Sequence, residues 1–432
     1  MFTIITFIAI LALLVISHEY GHFIAARKNG VRVDEFGFGF PPRIFGVQIL
    51  RGNKLEKIAE KETIGIQTSD IKLMNGQEII QETITDVKKE IDIVAPIKKY
   101  RFIFGNKEIE PIEGGGTVYS LNFIPLGGFV KIKGETGDNS EEADSLANKA
   151  PWRRAIFMSA GVIMNIFVAI ILLSIGFMFG LPQTTENLND VSKVRDWRVE
   201  IMQVIADSPA ENSELMAGDA IIKIDALENP RLKEIQNYVN ENKDNELVVS
   251  VKRGNETFEK KIHPMVYQDS GKGGLGVSIA ETGIVSYPWY EAFYHGFIEA
   301  FIYLKEIFLA FYFLIKGLIT GAGVGGAVSG PVGIAVMTGR FARLGFAYLM
   351  QFAALLSLNL AIFNILPFPS LDGGRLFFLF INKITRRPVS ARVEQWVHTV
   401  GFALIMAFAI FITVRDVSVF KSTIIGFLGR IF

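Results

Sequence analysis

The residues with the clearest chemical potential are two histidines and a glutamate in the run His18-Glu19-Tyr20-Gly21-His22. On a helix, positions four apart share a face, so His18 and His22 can each present a ring nitrogen to one zinc ion. Glu19, about 100° round the helix, is then close enough to serve the attacking water as general base. Two histidines do not complete such a site, because a catalytic zinc usually takes three protein ligands and keeps one position open. The chain has no cysteine. That excludes thiolate ligands, disulfides and cysteine nucleophiles together, and leaves His, Asp and Glu as ligand candidates. Asp372 is the best candidate for the third. It follows Pro367 and Pro369, which end a helix, and Gly373-Gly374 behind it allows backbone close to a metal. The competing reading is a chance motif whose histidines hydrogen-bond inside a helix bundle.

The element that carries the motif argues against chance. From Phe2 to Ile16 almost every residue is aliphatic or aromatic, and Phe23 to Ala26 resumes that character. About 25 residues of helix span roughly 37 Å, enough to cross a bilayer with some tilt. Ionisable side chains in such a segment are costly and need a partner. Half of the 432 residues are hydrophobic, and the mean hydropathy of +0.33 is too high for a soluble protein of this length. Lys+Arg and Asp+Glu balance at 44 each, so no global charge draws the chain to nucleic acid. Met1-Phe2-Thr3-Ile4 lacks the basic residues of a signal peptide, so the first helix is expected to stay in the mature protein. Arg27, Lys28 and Arg32 follow the span, which places the N-terminus outside and the next loop in the cytoplasm.

Taken in order, residues 1–30 form the first span. Residues 31–133 hold two apolar, strand-prone stretches, Val31–Phe45 with a Pro-Pro stop and Val118–Lys133 around Gly127-Gly128. These read as a hairpin at the bilayer interface, tolerable there only if buried against protein or lining a cavity. Between them, about 47–113 is a charged, β-rich cytoplasmic insertion, with alternation at Glu78–Thr85 and Tyr100–Phe104. A cytoplasmic loop, 134–154, leads to the second span, 155–181, where Ser159, Ala160 and Gly161 favour close helix packing. Residues 196–284 turn soluble. Strand-like runs at Val199–Ile205, Ala220–Asp225, Glu246–Lys252 and Thr257–His263 surround a helical stretch, Arg231–Asn242. The Ser208-Pro209-Ala210 and Ala217-Gly218-Asp219-Ala220-Ile221 runs resemble bacterial PDZ domains, which capture extended peptides at a sheet edge. Peptide capture and a steric size filter are both open to such a domain. His263 reads as a strand-end surface residue. Residues 285–345 read as amphipathic helices on the outer surface, with His295 interfacial, then a Gly-rich linker. The third span and its Leu371-Asp372-Gly373 motif occupy 346–374, a basic cytoplasmic loop 375–395, and the fourth span 396–415. His398 opens that last span as an interfacial residue, and 416–432 is a tail able to form a short amphipathic helix.

The pair of motifs, His-Glu-x-Gly-His in the first span and Asn-x-x-Pro-x-Pro-x-Leu-Asp-Gly after a late one, resembles the site-2 protease family of intramembrane zinc metalloproteases. The order of segments is similar to the bacterial RseP-like branch, the regulator of sigma-E proteases. The resemblance implies one zinc ion per chain, held by His18, His22 and Asp372, with Glu19 as the catalytic base. It also implies that Asn364 and Pro367 hold substrate, and that the hairpin around Gly127 and Gly128 pairs with an extended substrate strand. Two departures stand out: the long insertion within the hairpin, and a single PDZ-like domain where well-known enterobacterial members carry two.

The expected fold is therefore a polytopic α-helical membrane protein with about four transmembrane helices, a membrane-associated β-hairpin or sheet, and one extracytoplasmic PDZ-like α+β domain. With the N-terminus outside, His18 and His22 lie in the cytoplasmic half of their helix. The third span must then run inward to bring Asp372 to them, and 287–319 cannot cross the bilayer a net odd number of times. The expected setting is a bacterial inner membrane, and the expected partners are single-span membrane proteins, such as an anti-sigma factor or a signal-peptide remnant, together with the lipid bilayer. A peptide C-terminus at the PDZ-like domain is a further expected partner, and nucleic acid is not. A PDZ-bearing scaffold without a working site would be hard to reconcile with both motifs in a compatible topology. An ion transporter would usually show more polar residues in its other spans, or repeated halves.

Overall fold

The computed structural model describes residues 2–51, 98–105, 115–135, 137, 139–184, 194–254, 256–266, 271–321, 329–387 and 389–419. The chain divides into two compact units, one of Met1–Gly21 with Ala155–Phe432, the other of His22–Arg154. The first helix, α1 (Phe2–Lys28), runs through that division without a break.

In the His22–Arg154 unit, β1 (Val33–Arg51) lies between β2 (Lys98–Phe104) and β3 (Gly115–Ile132). β1 does not stop at Pro41-Pro42, as expected from sequence, but continues to Arg51. The reason is a buried clasp across the bend. Arg43 donates from Nε to Glu35 Oε1 at 2.8 Å and from Nη2 to Glu35 Oε2 at 2.6 Å. Both side chains are less than a tenth exposed, and the paired geometry suits a guanidinium and a carboxylate. Asn122 adds a hydrogen bond from Nδ2 to the Gly39 carbonyl, 3.0 Å away. Register shifts at this bend let Phe36 face both Val130 and Tyr119, and Gly37 both Phe129 and Ser120. Tyr100–Phe104 is the expected strand, β2. The alternation at Glu78–Thr85 lies outside the described residues.

The larger unit holds the remaining helices. Among the described residues, four helices are long and apolar enough to cross a membrane: α1, α2 (Pro151–Phe179), α7 (Phe346–Ile365) and α9 (Ala391–Val419). A shared core joins Ile10 and Leu14 of α1, Ala169 and Leu173 of α2, Ala292 and Ala300 of α5 (Trp289–Thr320), and Ala353 and Leu358 of α7. Small residues set the closest approach. A Cβ on Gly21 would lie 2.4 Å from the Ala160 carbonyl oxygen, so α1 and α2 meet backbone to backbone beside the histidine motif.

The residues from Leu181 to Val285 build an antiparallel sheet ordered β4 (Leu181–Thr184), β12 (Val277–Val285), β5 (Val194–Val204), β6 (Ala220–Ile224), β8 (Leu247–Arg253) and β9 (Glu256–Ile262), with β7 (Leu227–Glu228) paired to β6 and β10 (Met265–Val266) paired to β11 (Gly273–Gly274). Two helices, α3 (Pro209–Asn212) and α4 (Leu232–Glu241), accompany it, and Ile201, Ile221, Ile224, Ile235, Leu247, Val249 and Leu275 form its core. The motif residues hold this domain together. Ser208 caps α3 by accepting from the Glu211 N–H. Gly218 takes φ of 92°, and Asp219, fully buried, receives a two-point bond from Arg253 at 2.6 and 2.7 Å. The domain is tied to α7 through Tyr348, which donates to Glu200 Oε1 at 3.1 Å and bonds Arg198. His263 is an exposed residue at the end of β9, as expected.

Three stretches differ from the sequence expectation. The segment 287–319 is one 32-residue helix, α5, lying lengthwise along α7 instead of several helices on a surface. Gln351 donates to the Tyr303 hydroxyl at 2.7 Å, and Phe311 stacks edge-on to Phe363 at 5.4 Å. Its polar residues interrupt the hydropathy because some face protein, as the half-buried Glu299 does. His295 stacks flat on Tyr287, 3.9 Å between ring centres. The Gly-rich stretch expected as a linker contains a helix, α6 (Pro331–Leu344), opened by Pro331 and capped from afar. The buried Asp416 Oδ2 of α9 accepts from the Gly330 N–H at 2.9 Å and the Gly333 N–H at 2.7 Å. The basic segment 375–395, expected as a loop, contains α8 (Asp372–Thr385), whose apolar residues recur at helical spacing through Leu376, Phe377 and Phe380. The tail beyond Val419 lies outside the described residues.

Candidate metal centre

α1 is an uninterrupted helix through the motif, so His18 and His22 stand one turn apart on a common face, and both are buried at 7% and 5% exposure. Glu19 follows His18 on the same helix, half-buried. The third residue comes from the break between α7 and α8. α7 ends at Ile365 because Pro367 and Pro369 cannot continue it. The chain then folds back so tightly that a Cβ on Gly373 would lie 2.2 Å from the Leu366 carbonyl oxygen. Only glycine fits that approach, and it delivers Asp372 at the first position of α8.

The three residues converge. One ligand atom each from His18, His22 and Asp372 lies within 4.8 Å of the others. His18 Nε2 and Asp372 Oδ2 are 3.1 Å apart. Ligands bound to one tetrahedral zinc at about 2.0–2.2 Å stand about 3.4 Å from each other, so the set fits zinc in donor type and spacing. Of the other residues singled out from sequence, Asn364 occupies the last turn of α7 and Pro367 the link that follows it. Gly127 and Gly128 lie in β3, in the other unit, both buried; Gly127 has φ of 108° and Gly128 pairs with Phe38.

Two neighbours of the site were not legible as such in the sequence. Asn165 of α2, fully buried, lies with Nδ2 3.1 Å from His18 Nδ1. Its carbonyl oxygen accepts a 2.7 Å bond from the Ser357 hydroxyl of α7. His398 of α9 accepts the Ser370 N–H at Nδ1, 2.7 Å away, two residues before Asp372. One turn further along α9, a Cβ on Gly401 would meet Pro369 at 2.3 Å. A polar residue inside an apolar helix was the available signal for Asn165, but sequence gives no partner 147 positions away.

A helix-borne His-Glu-x-x-His joined by a distant carboxylate, among apolar helices, defines a membrane-embedded metallopeptidase centre. The model of peptidase family M50 matches residues 6–57 and 94–408, and the chain belongs to that family of intramembrane zinc metalloproteases. A protein of Clostridium perfringens is 30% identical over 419 residues, covering 96% of this chain and 98% of its own. RasP of Bacillus subtilis, a regulator of sigma-W protease, is 29% identical over 441 residues, with 96% and 98% covered. The zinc metalloprotease RasP of Oceanobacillus iheyensis is 26% identical, with 96% and 99% covered. Among solved structures, a PDZ domain from Listeria innocua aligns at 28% identity over 19% of this chain and 92% of its own, with a TM-score of 0.18.

Proposed function

We propose that this protein hydrolyses peptide bonds inside the transmembrane segments of single-span membrane proteins, with His18, His22 and Asp372 holding one zinc ion per chain and Glu19 acting as general base. The observation that carries the reading is the convergence of His18, His22 and Asp372 from two distant helix segments on one point. When bound, zinc supplies Lewis-acid chemistry, polarising a carbonyl and making water easier to deprotonate. Glu19 takes the proton of the attacking water and returns it to the leaving amine nitrogen, so one carboxylate serves as base and then acid. The carboxylate of Asp372 stays ionised and balances cationic charge in an apolar setting where an unpaired charge is costly.

A helical substrate must unwind locally, since its carbonyls are otherwise engaged within the helix. Asn364 caps backbone groups freed by unwinding, and Pro367 shapes the surface beside them. The hairpin around Gly127 and Gly128 supplies an edge on which an extended strand can pair. Arg27 and Lys28 end α1, Arg386 and Arg387 follow α8, and Arg392 lies in the first turn of α9, which supports a cytoplasmic position for these ends. The N-terminus and the domain from 196 to 284 then lie outside, with the zinc site toward the cytoplasmic side of a bacterial inner membrane. α5 and α6 together make no net crossing. The outer domain is PDZ-like and presents a sheet edge to the C-terminus of a shortened substrate, such as an anti-sigma factor or a signal-peptide remnant.

The test is cleavage of tagged single-span proteins in membranes by wild type and Glu19→Gln, each with and without a zinc chelator. Cutting by untreated wild type alone is the expected result. Equal cutting by Glu19→Gln would remove Glu19 from its role.

A further inference from the structure

We propose that Asn165 is the positioning residue that sets the tautomer of His18, with its side-chain oxygen accepting a hydrogen bond from His18 Nδ1–H whenever the metal is held. With Asn165 Nδ2 directed at His18 Nδ1, 3.1 Å away, the ring nitrogen must accept. The imidazole proton then sits on Nε2, which faces Asp372 Oδ2 at 3.1 Å. A protonated Nε2 cannot ligate a metal. The same orientation leaves Asn165 Oδ1 buried with no hydrogen-bond partner. Such an orphan is rare in an interior, and Asn165 is wholly inaccessible to water.

One rotation of the amide resolves the tautomer conflict. The oxygen and nitrogen of an asparagine amide are nearly the same size, so turning it by 180° changes no packing. Oδ1 then accepts from His18 Nδ1–H, the proton leaves Nε2, and the Nε2 lone pair points into the group formed with His22 and Asp372. Zinc-ligating histidines commonly donate their second ring nitrogen to an oxygen that fixes tautomer and orientation. Here that oxygen belongs to α2, and Ser357 of α7 holds the same residue by its main-chain oxygen at 2.7 Å. Asn165 thus ties the two spans to the motif helix at one atom of the site.

The inference rests on zinc binding by His18, His22 and Asp372, and the experiment separates the two. Zinc retention by purified protein against a graded chelator series would be measured for wild type, Asn165→Asp and Asn165→Leu. Aspartate can only accept, as the turned amide does, whereas leucine offers nothing. Asn165→Asp should retain zinc within a few-fold of wild type, and Asn165→Leu should weaken it about 10- to 100-fold. A wild type that binds no zinc would sink the reading of the site itself. A wild type that binds zinc while Asn165→Leu matches it would sink only the role of Asn165. Because a buried carboxylate can impair folding, wild type is also examined by 15N NMR with labelled histidine, where five histidines keep assignment tractable. In the zinc-loaded protein His18 should carry its proton on Nδ1. A proton on Nε2 overturns the inference.

Discussion

A single side chain matters at this site according to what its nearest atoms can donate or accept. Replacing Glu19 by glutamine keeps its size and removes its basicity, so cleavage should fall about 10²- to 10⁴-fold with zinc content unchanged. Metal analysis beside the rate measurement checks both halves. His398 acts one step further away, by accepting the Ser370 N–H at 2.7 Å in the loop that delivers Asp372. Asparagine can place an acceptor near the position of Nδ1, so His398→Asn should keep zinc affinity and activity, whereas His398→Leu strands a main-chain donor and should lower both. Equal behaviour of the two variants would refute the role. The convergence of His18, His22 and Asp372 was legible because helical spacing and a helix-ending Pro-x-Pro are local facts of sequence. Asn165 and His398 were not, since their importance comes from neighbours far along the chain.

Elements are held in place by buried polar clasps as much as by apolar packing. In the domain built from Leu181 to Val285, Asp219 is fully buried and bonded twice by Arg253. Arg253→Met leaves that carboxylate without its cation, and should cost about 3–5 kcal/mol of domain stability, read by thermal unfolding. A loss below about 1 kcal/mol would show the pair to be incidental. Near the end of the His22–Arg154 unit, Asp144 is held below the usual carboxylate range, chiefly by the hydrogen bond from Lys133. A carboxyl lowered on folding adds stability above its unfolded pKa and loses it as pH falls through the folded value. Wild type should therefore lose local protection in acid more steeply than Asp144→Asn, measured by hydrogen exchange across pH. At this scale sequence reading succeeded for α1, α2, α4, α7 and most strands, whose periodicity is strong. It missed α6 and α8, because glycines and arginines mask helices that are fixed by partners, as Asp416 fixes the start of α6. It also missed the continuation of β1, because the Glu35–Arg43 clasp that carries the strand through Pro41-Pro42 has no local signature.

The whole chain is a membrane-embedded protease whose parts must respect one topology. Because the sequence contains no cysteine, single-cysteine variants report sidedness without background. Asp244→Cys, between α4 and β8, should react with a membrane-impermeant thiol reagent in intact cells. Arg387→Cys, after α8, should react only when the membrane is opened. The reverse pattern would invert the protein and move the metal centre to the outer half of the bilayer. Span count was readable from sequence and charge flanks carry the expected sidedness, while the lengthwise packing of α5 on α7 depended on contacts such as Tyr303 with Gln351. The most direct test of the central claim is to find the bond that is cut. A single-span substrate carrying tags at both ends would be incubated with wild type in vesicles, and its new termini read by mass spectrometry. Termini inside the apolar span, in its cytoplasmic half and absent with Glu19→Gln, are expected. Termini only in the extracytoplasmic stalk would contradict intramembrane proteolysis by this centre.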